Sequence, residues 1–183
     1  NAALNVSALS GTVYAPTVVA GAVTLDANGR PSGEGLYAGS GPISVSTGAD
    51  LASGVYGTTG TLALRSTAGN VNVDTPIDQT VGATTIGSGK TVNVNQKIAN
   101  LKSGHDLNIT AGTSLNINAK VTGEIDPLIA GDTATPGGAA TLLAGTDLLV
   151  HQNISTFDGA LNLTATTGRL GIDTGKEVWA GTG

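Results

Sequence analysis

The sequence predicts an all-β chain wound as a right-handed parallel β-helix, a solenoid of about seven to eight coils with three short strands in each. Aliphatic triplets recur at a near-constant interval, and small or polar residues alternate with the aliphatic ones inside each triplet. For a core the chain offers Ala, Val, Leu and Ile, with only five aromatic residues among 183 and no Met or Cys. Evenly spaced aliphatic layers suit that composition better than a core built around large anchors.

The first strand series is Val71-Asn72-Val73, Val92-Asn93-Val94, Leu115-Asn116-Ile117, Leu148-Leu149-Val150 and Leu170-Gly171-Ile172, at start-to-start intervals of 21, 23, 33 and 22 residues. Each triplet follows shortly after a glycine: Gly69, Gly89, Gly112, Gly145 or Gly168. A second series is Leu62-Ala63-Leu64, Thr84-Thr85-Ile86, Leu107-Asn108-Ile109, Thr141-Leu142-Leu143 and Leu161-Asn162-Leu163, at 22, 23, 34 and 20. The two series lengthen together, which places one insertion of roughly eleven residues within 122–140, after which the repeat resumes. A third, single position completes the unit at Ile77, Ile98, Val121, Ile154 and Val178.

Successive side chains of a strand face opposite ways, so the outer two aliphatics of each triplet point to one side and the middle residue to the other. One side is therefore dry. A single coil buries too little apolar surface to offset the entropy of ordering its residues, and only stacking completes the ladders and the columns. The whole chain, 1–183, reads as one such domain, with less regular coils over 1–60, where Leu4-Asn5-Val6, Val23-Thr24-Leu25 and Ile43-Ser44-Val45 recur without settling which series they belong to. Asn28-Gly29 and Arg30-Pro31 read as a turn or surface excursion.

Charge and motifs exclude several functions. Only 11% of residues are charged, 8 Lys+Arg against 13 Asp+Glu, with no basic run, so nucleic acid is not expected as a partner. No apolar run is long enough for a transmembrane helix, so no membrane insertion is expected. The N-terminus lacks signal-peptide regions, and the absence of Met suggests a mature product or an excised piece. The GSGKT of Gly87–Thr91 imitates the end of a phosphate-binding loop, yet Thr84 stands where the first glycine belongs and Val92, Val94 and Ile98 follow in strand alternation, so a turn between strands is expected.

Thiolate metal sites, disulfides and a Cys nucleophile are excluded by composition. His105 and His151 have no carboxylate partner at metal-site spacing and are expected to face solvent. No cofactor, metal or catalytic residue is expected. The position after each first-series strand carries Asp74, Asn95, Asn118, His151 and Asp173, a polar column whose terminal carboxylates fall about four coils apart, roughly 19 Å. A glycosidase pair needs at most about 9.5 Å, so a solvated or Asn-laddered column is the expectation.

LNITAGTSLNINAKV (Leu107–Val121), LRSTAGNVNVDTPI (Leu64–Ile77) and LNLTATTGRLGID (Leu161–Asp173) resemble the degenerate repeats of filamentous haemagglutinin-like exoproteins. These are large adhesins of Gram-negative bacteria exported by two-partner secretion. The resemblance covers about 60–180 and implies a long, nearly Cys-free β-helix at the bacterial cell surface, acting in adhesion or biofilm cohesion. The implied partners are a host-cell or bacterial surface receptor or glycan, and an outer-membrane transporter during secretion. The NPN-type motifs of the family's amino-terminal secretion domain do not occur, which points to a shaft segment or a divergent member.

Two other classes share the architecture: a carbohydrate-active or carbohydrate-binding β-helix, and an exoprotein that carries haem or other cargo. Candidate partner contacts are Ile125, Leu128 and Ile129, apolar residues of the insertion. Candidate glycosylation positions are Asn5, Asn108, Asn153 and Asn162, each in an N-x-[ST] tripeptide that alternating Asn and Thr also generate without modification.

Overall fold

A computed structural model describes residues 4–8, 18–19, 35–39, 41–78, 81–99, 101, 104–122, 138–156 and 159–180. Ile125, Leu128 and Ile129 lie outside these residues, as does Val23-Thr24-Leu25. Among the described residues there are nineteen strands, β1 to β19 in chain order, and no helix.

Seven long strands form the first sheet: β1 (Leu4–Ala8), β4 (Ile43–Thr47), β7 (Leu62–Ser66), β9 (Thr84–Ser88), β11 (Leu107–Ala111), β14 (Ala140–Ala144) and β17 (Leu161–Ala165), paired in that order. Six short ones form the second: β5 (Leu51–Ala52), β8 (Val71–Val73), β10 (Val92–Val94), β12 (Leu115–Ile117), β15 (Leu148–Val150) and β18 (Leu170–Ile172). The third face is β13 (Val121–Thr122), β16 (Ile154–Ser155) and β19 (Val178–Trp179), continued by the bridges Ile77–Ile98 and Ile98–Val121. A separate sheet joins β2 (Val18–Val19), β3 (Gly35–Gly39) and β6 (Val55–Thr58).

Every pairing is parallel and joins a strand to its equivalent one turn away; Val92, for instance, lies between Val71 and Leu115. The chain is a β-solenoid. Its third column, Ile77 to Val178, counts about five regular turns, fewer than the seven to eight coils the spacing suggests. The shortfall lies before residue 60. There β6 pairs within the separate sheet, and Leu4 registers with Ile43, so both early triplets belong to the long-strand series.

One register differs from the sequence expectation. The inward residues of β14 are Ala140, Leu142 and Ala144, all without exposed surface, and Leu107 pairs with Ala140 rather than Thr141. Thr141 and Leu143 face outward. Apolar residues crowd Ala139–Ala144, so the aliphatic pattern alone does not distinguish the two registers, and a one-residue slip exchanges the faces. With Ala140 as the start, the long-strand intervals become 22, 23, 33 and 21.

Inside the solenoid the columns are aliphatic, and Val45, Leu51, Ile86, Val94, Ile109 and Ile117 all have no exposed surface. The fifth residue of each long strand also points inward but is small: Thr47, Ser66, Ser88, Ala111, Ala144 and Ala165. The chain turns sharply just beyond it. Ser66 Oγ donates to the Ala49 carbonyl one turn away (2.5 Å) and accepts from the Gly69 N–H (2.9 Å), and Ser88 Oγ does the same with the Gly69 carbonyl and Lys90 N–H. These hydroxyls pin one corner to the next.

The stacking also explains the corner glycines. A Cβ on Gly89, Gly112 or Gly145 would overlap the carbonyl oxygen of Thr67, Gly89 or Gly112 in the adjacent turn. GSGK falls in this arrangement: β9 ends at Ser88, the corner is 89–91, and β10 begins at Val92. In β6 Tyr56 is buried, and its Oη accepts the Gly54 N–H at 3.1 Å. Burial pushes its phenol up to about 12, the Gly54 contact opposing it.

Candidate functional site

The second sheet carries the densest array of polar groups. Asn72, Asn93 and Asn116 are the middle residues of β8, β10 and β12 and share one outward column. Asn93 Nδ2 donates to Asn72 Oδ1, and Asn116 Nδ2 to Asn93 Oδ1, both at 2.8 Å. The next outward column is parallel to it: Asn95 Nδ2 donates to Asp74 Oδ1 and Asn118 Nδ2 to Asn95 Oδ1, again at 2.8 Å. Amides stack this way because the turn spacing, about 4.7–4.9 Å, suits the reach from one planar amide to the next. Six side chains on three turns thus form two ladders running along the rod.

The pattern changes at β15 and β18, where Leu149 and Gly171 continue the first column and His151 and Asp173 the second. His151 Nδ1–H donates to Asp173 Oδ2 at 2.9 Å, with the two side chains 39% and 54% exposed. Among the described residues no hydroxyl bonds to the His151 imidazole, so the pair lacks the group that would make it a nucleophile's relay. Asp74 and Asp173 close opposite ends of the column, as the spacing predicts. His105 differs from expectation: it is partly buried, and its Nδ1 is out of solvent without a partner.

Three further carboxylates, Asp50, Asp106 and Asp147, serve the stack. Corners between the first and second sheets come in two lengths, three residues (48–50, 89–91, 112–114, 145–147) and four (67–70, 166–169). Where a four-residue corner follows a three-residue one, an Asp ends the shorter: Asp50 Oδ1 accepts the Asn70 N–H and Asp147 Oδ1 the Arg169 N–H, each at 2.7 Å. The extra residue breaks the backbone ladder, and the carboxylate satisfies the N–H left over. Asp106 Oδ1 accepts the Ala139 N–H similarly, at 2.9 Å. Among the described residues no three of His, Asp or Glu gather around a metal-sized space.

The first sheet's outer surface is small and hydroxylic. A shallow recess of about 640 Å³ spans Ser44, Ser46, Ala63, Thr85 and Thr110, with Arg65 crossing it where Gly87 leaves room. The outward column Ser44, Ala63, Thr85, Asn108, Thr141, Asn162 contains two of the four sequon asparagines, and the backbone of Asn5 registers with that of Ser44. Asn108 and Asn162 are exposed, two turns apart, and the threonines of their sequons, Thr110 and Thr164, face the same way. Asn153 is partly buried, and its Oδ1 accepts the Glu177 N–H at 3.1 Å.

Sequence reading placed the polar column and offered an Asn ladder for it, but not the second ladder through Asn72, Asn93 and Asn116, whose donors and acceptors lie 21 and 23 residues apart. It missed the role of Asp50 and Asp147, for which the signal was the extra residue in STAGN and ATTGR. No family model, curated protein or solved structure matches this chain.

Proposed function

We propose that this chain is a structural and adhesive segment of a large secreted bacterial surface adhesin, a piece of rod whose task is extension and contact. The observation that supports it is the direction of the polar bonding. Amide ladders, corner carboxylates and the corner serines Ser66 and Ser88 bond along the rod axis, turn to turn. Such bonding stiffens a shaft and uses up the groups that chemistry would need. The flat Ser/Thr/Asn surface of the first sheet is the contact face in this reading, open to a surface receptor or glycan.

Display on a non-adherent bacterium tests the proposal, with attachment to host cells and cell–cell aggregation as readouts and small-angle scattering on the purified chain. Attachment together with an elongated profile is expected. A globular profile, or release of reducing ends from a polysaccharide, would replace the adhesin with the enzyme reading.

A further inference from the structure

On its outer face the first sheet carries a lone charge. The outward positions of β4, β7, β9, β11, β14 and β17 hold Ser, Ala, Thr, Asn, Gly and Leu, and only Arg65 among them is charged. Arg65 is exposed, and among the described residues it has no hydrogen-bond or ion-pair partner. It stands in the shallow recess of about 640 Å³, whose described walls contain no carboxylate. Its column runs Ser46, Arg65, Gly87, Thr110, beside Ser44, Ala63 and Thr85. Gly87 keeps one flank open, since a Cβ there would meet only the Arg65 side chain, at 3.9 Å. A guanidinium with its donors unspent thus lies among hydroxyls, on a chain whose net charge is -5.

These features narrow the ligand. An Arg fork on a face without carboxylates complements an anion, and its planar N–H donors match a carboxylate in two parallel bonds. Nucleic acid or an anionic membrane needs a row or cluster of cations, whereas the described part of this face offers Arg65 alone. A densely charged polymer would set most of its charges over neutral hydroxyls. Of the described outward side chains in the recess only that of Ala63 is apolar, so an alkyl or aromatic group gains little there. The hydroxyls of Ser44, Ser46, Thr85 and Thr110 both donate and accept, as sugar hydroxyls do. The recess covers β4, β7, β9 and β11, about 14 Å at three strand spacings. Its volume falls within the ~300–1,000 Å³ typical of ligand pockets, room for more than one ring.

We propose that this recess binds a sugar acid within an otherwise neutral glycan, its carboxylate held by the Arg65 guanidinium and the adjoining sugar hydroxyls by Ser46, Thr85 and Thr110. The inference rests on the contact-face reading given above and names the class of glycan that the face takes.

The full chain, isotope-labelled and followed by its amide chemical shifts, is titrated with hyaluronan tetrasaccharide and sialyllactose as carboxylated probes. Chitotetraose serves as the neutral probe, a heparin tetrasaccharide as the sulfated one and a Glu-rich peptide as the acidic protein mimic. Saturable shifts centred on β4, β7 and β9 are expected with a carboxylated sugar, weakened about tenfold by Arg65→Gln and less by Arg65→Lys. Both variants change an exposed side chain, so circular dichroism should stay as it is in the natural chain. No shift with either carboxylated probe at roughly 10 mM would overturn the proposal. So would chitotetraose, the heparin fragment or the peptide binding as well as the best carboxylated sugar, or an affinity unaltered in Arg65→Gln. Attachment and scattering of the natural chain test the contact-face reading separately: if both hold while the titration fails, the sugar acid is wrong and the shaft stands.

Discussion

Leu148 and Leu170 occupy the same column on adjacent turns and pair in register, yet Leu148 has no exposed surface and Leu170 keeps 47%. The same holds one step along the strand for Val150, fully buried, and Ile172, 46% exposed. Residue type, strand and face are alike in the two turns. What differs is the neighbour: β15 lies between β12 and β18, while β18 is an edge strand of its sheet, as β17 and β19 are of theirs. Burial in this fold is supplied by the next turn rather than by the turn itself, so a core position is defined by the stack as much as by the sequence.

The sharpest test is to remove the same side chain from both settings. Leu115→Ala should cost about 2–5 kcal/mol, because a fully enclosed leucine leaves a cavity, whereas Leu170→Ala should cost less than about 1 kcal/mol. Chemical denaturation followed by circular dichroism measures both. Equal losses would mean that the last turn is as tightly enclosed as the interior.

The less regular region before residue 60 can be compared through Tyr56. An acid whose folded pKa lies above its unfolded value contributes stability that is complete below the unfolded pKa and lost as pH rises through the folded one. For Tyr56 that window runs from 10 to about 12. The loss across it is on the order of 3 kcal/mol. Unfolding midpoints across this window should therefore fall more steeply in the natural chain than in Tyr56→Phe.

Glycines sharpen the contrast between the corner and the open face. Gly112→Ala drives a methyl into the Gly89 carbonyl and should cost about 2 kcal/mol or more. Gly87→Ala meets nothing nearer than the Arg65 side chain at 3.9 Å and should stay within about 0.5 kcal/mol of the natural chain, by the same unfolding measurement. The narrowest contrast concerns the amide ladder. Asn93 has ladder partners on both sides and Asn116 on one, so Asn93→Ala should cost about 1–2 kcal/mol and Asn116→Ala about half that. Amide hydrogen exchange on β10 would report the same ordering.

Much of this was legible before any coordinates. Val92 stacks on Leu115 and Val71 because alternating triplets that recur every 21 to 23 residues bury their outer side chains when each turn lies on the next. The GSGKT corner resolved itself the same way, since strand alternation continues beyond it. Less legible was β14, where Leu142 and Leu143 are both apolar and alternation cannot choose between them.

The amino-acid order by itself determined the period, the inward columns and the corner positions, because these depend on side-chain alternation and on the room a glycine leaves, both local properties. Only the tertiary structure decided the register of β14, the partners of each amide and carboxylate, and which of two identical leucines is enclosed. Those are set by contacts between residues about 20 or more positions apart in sequence but one turn apart in space, which no local pattern encodes.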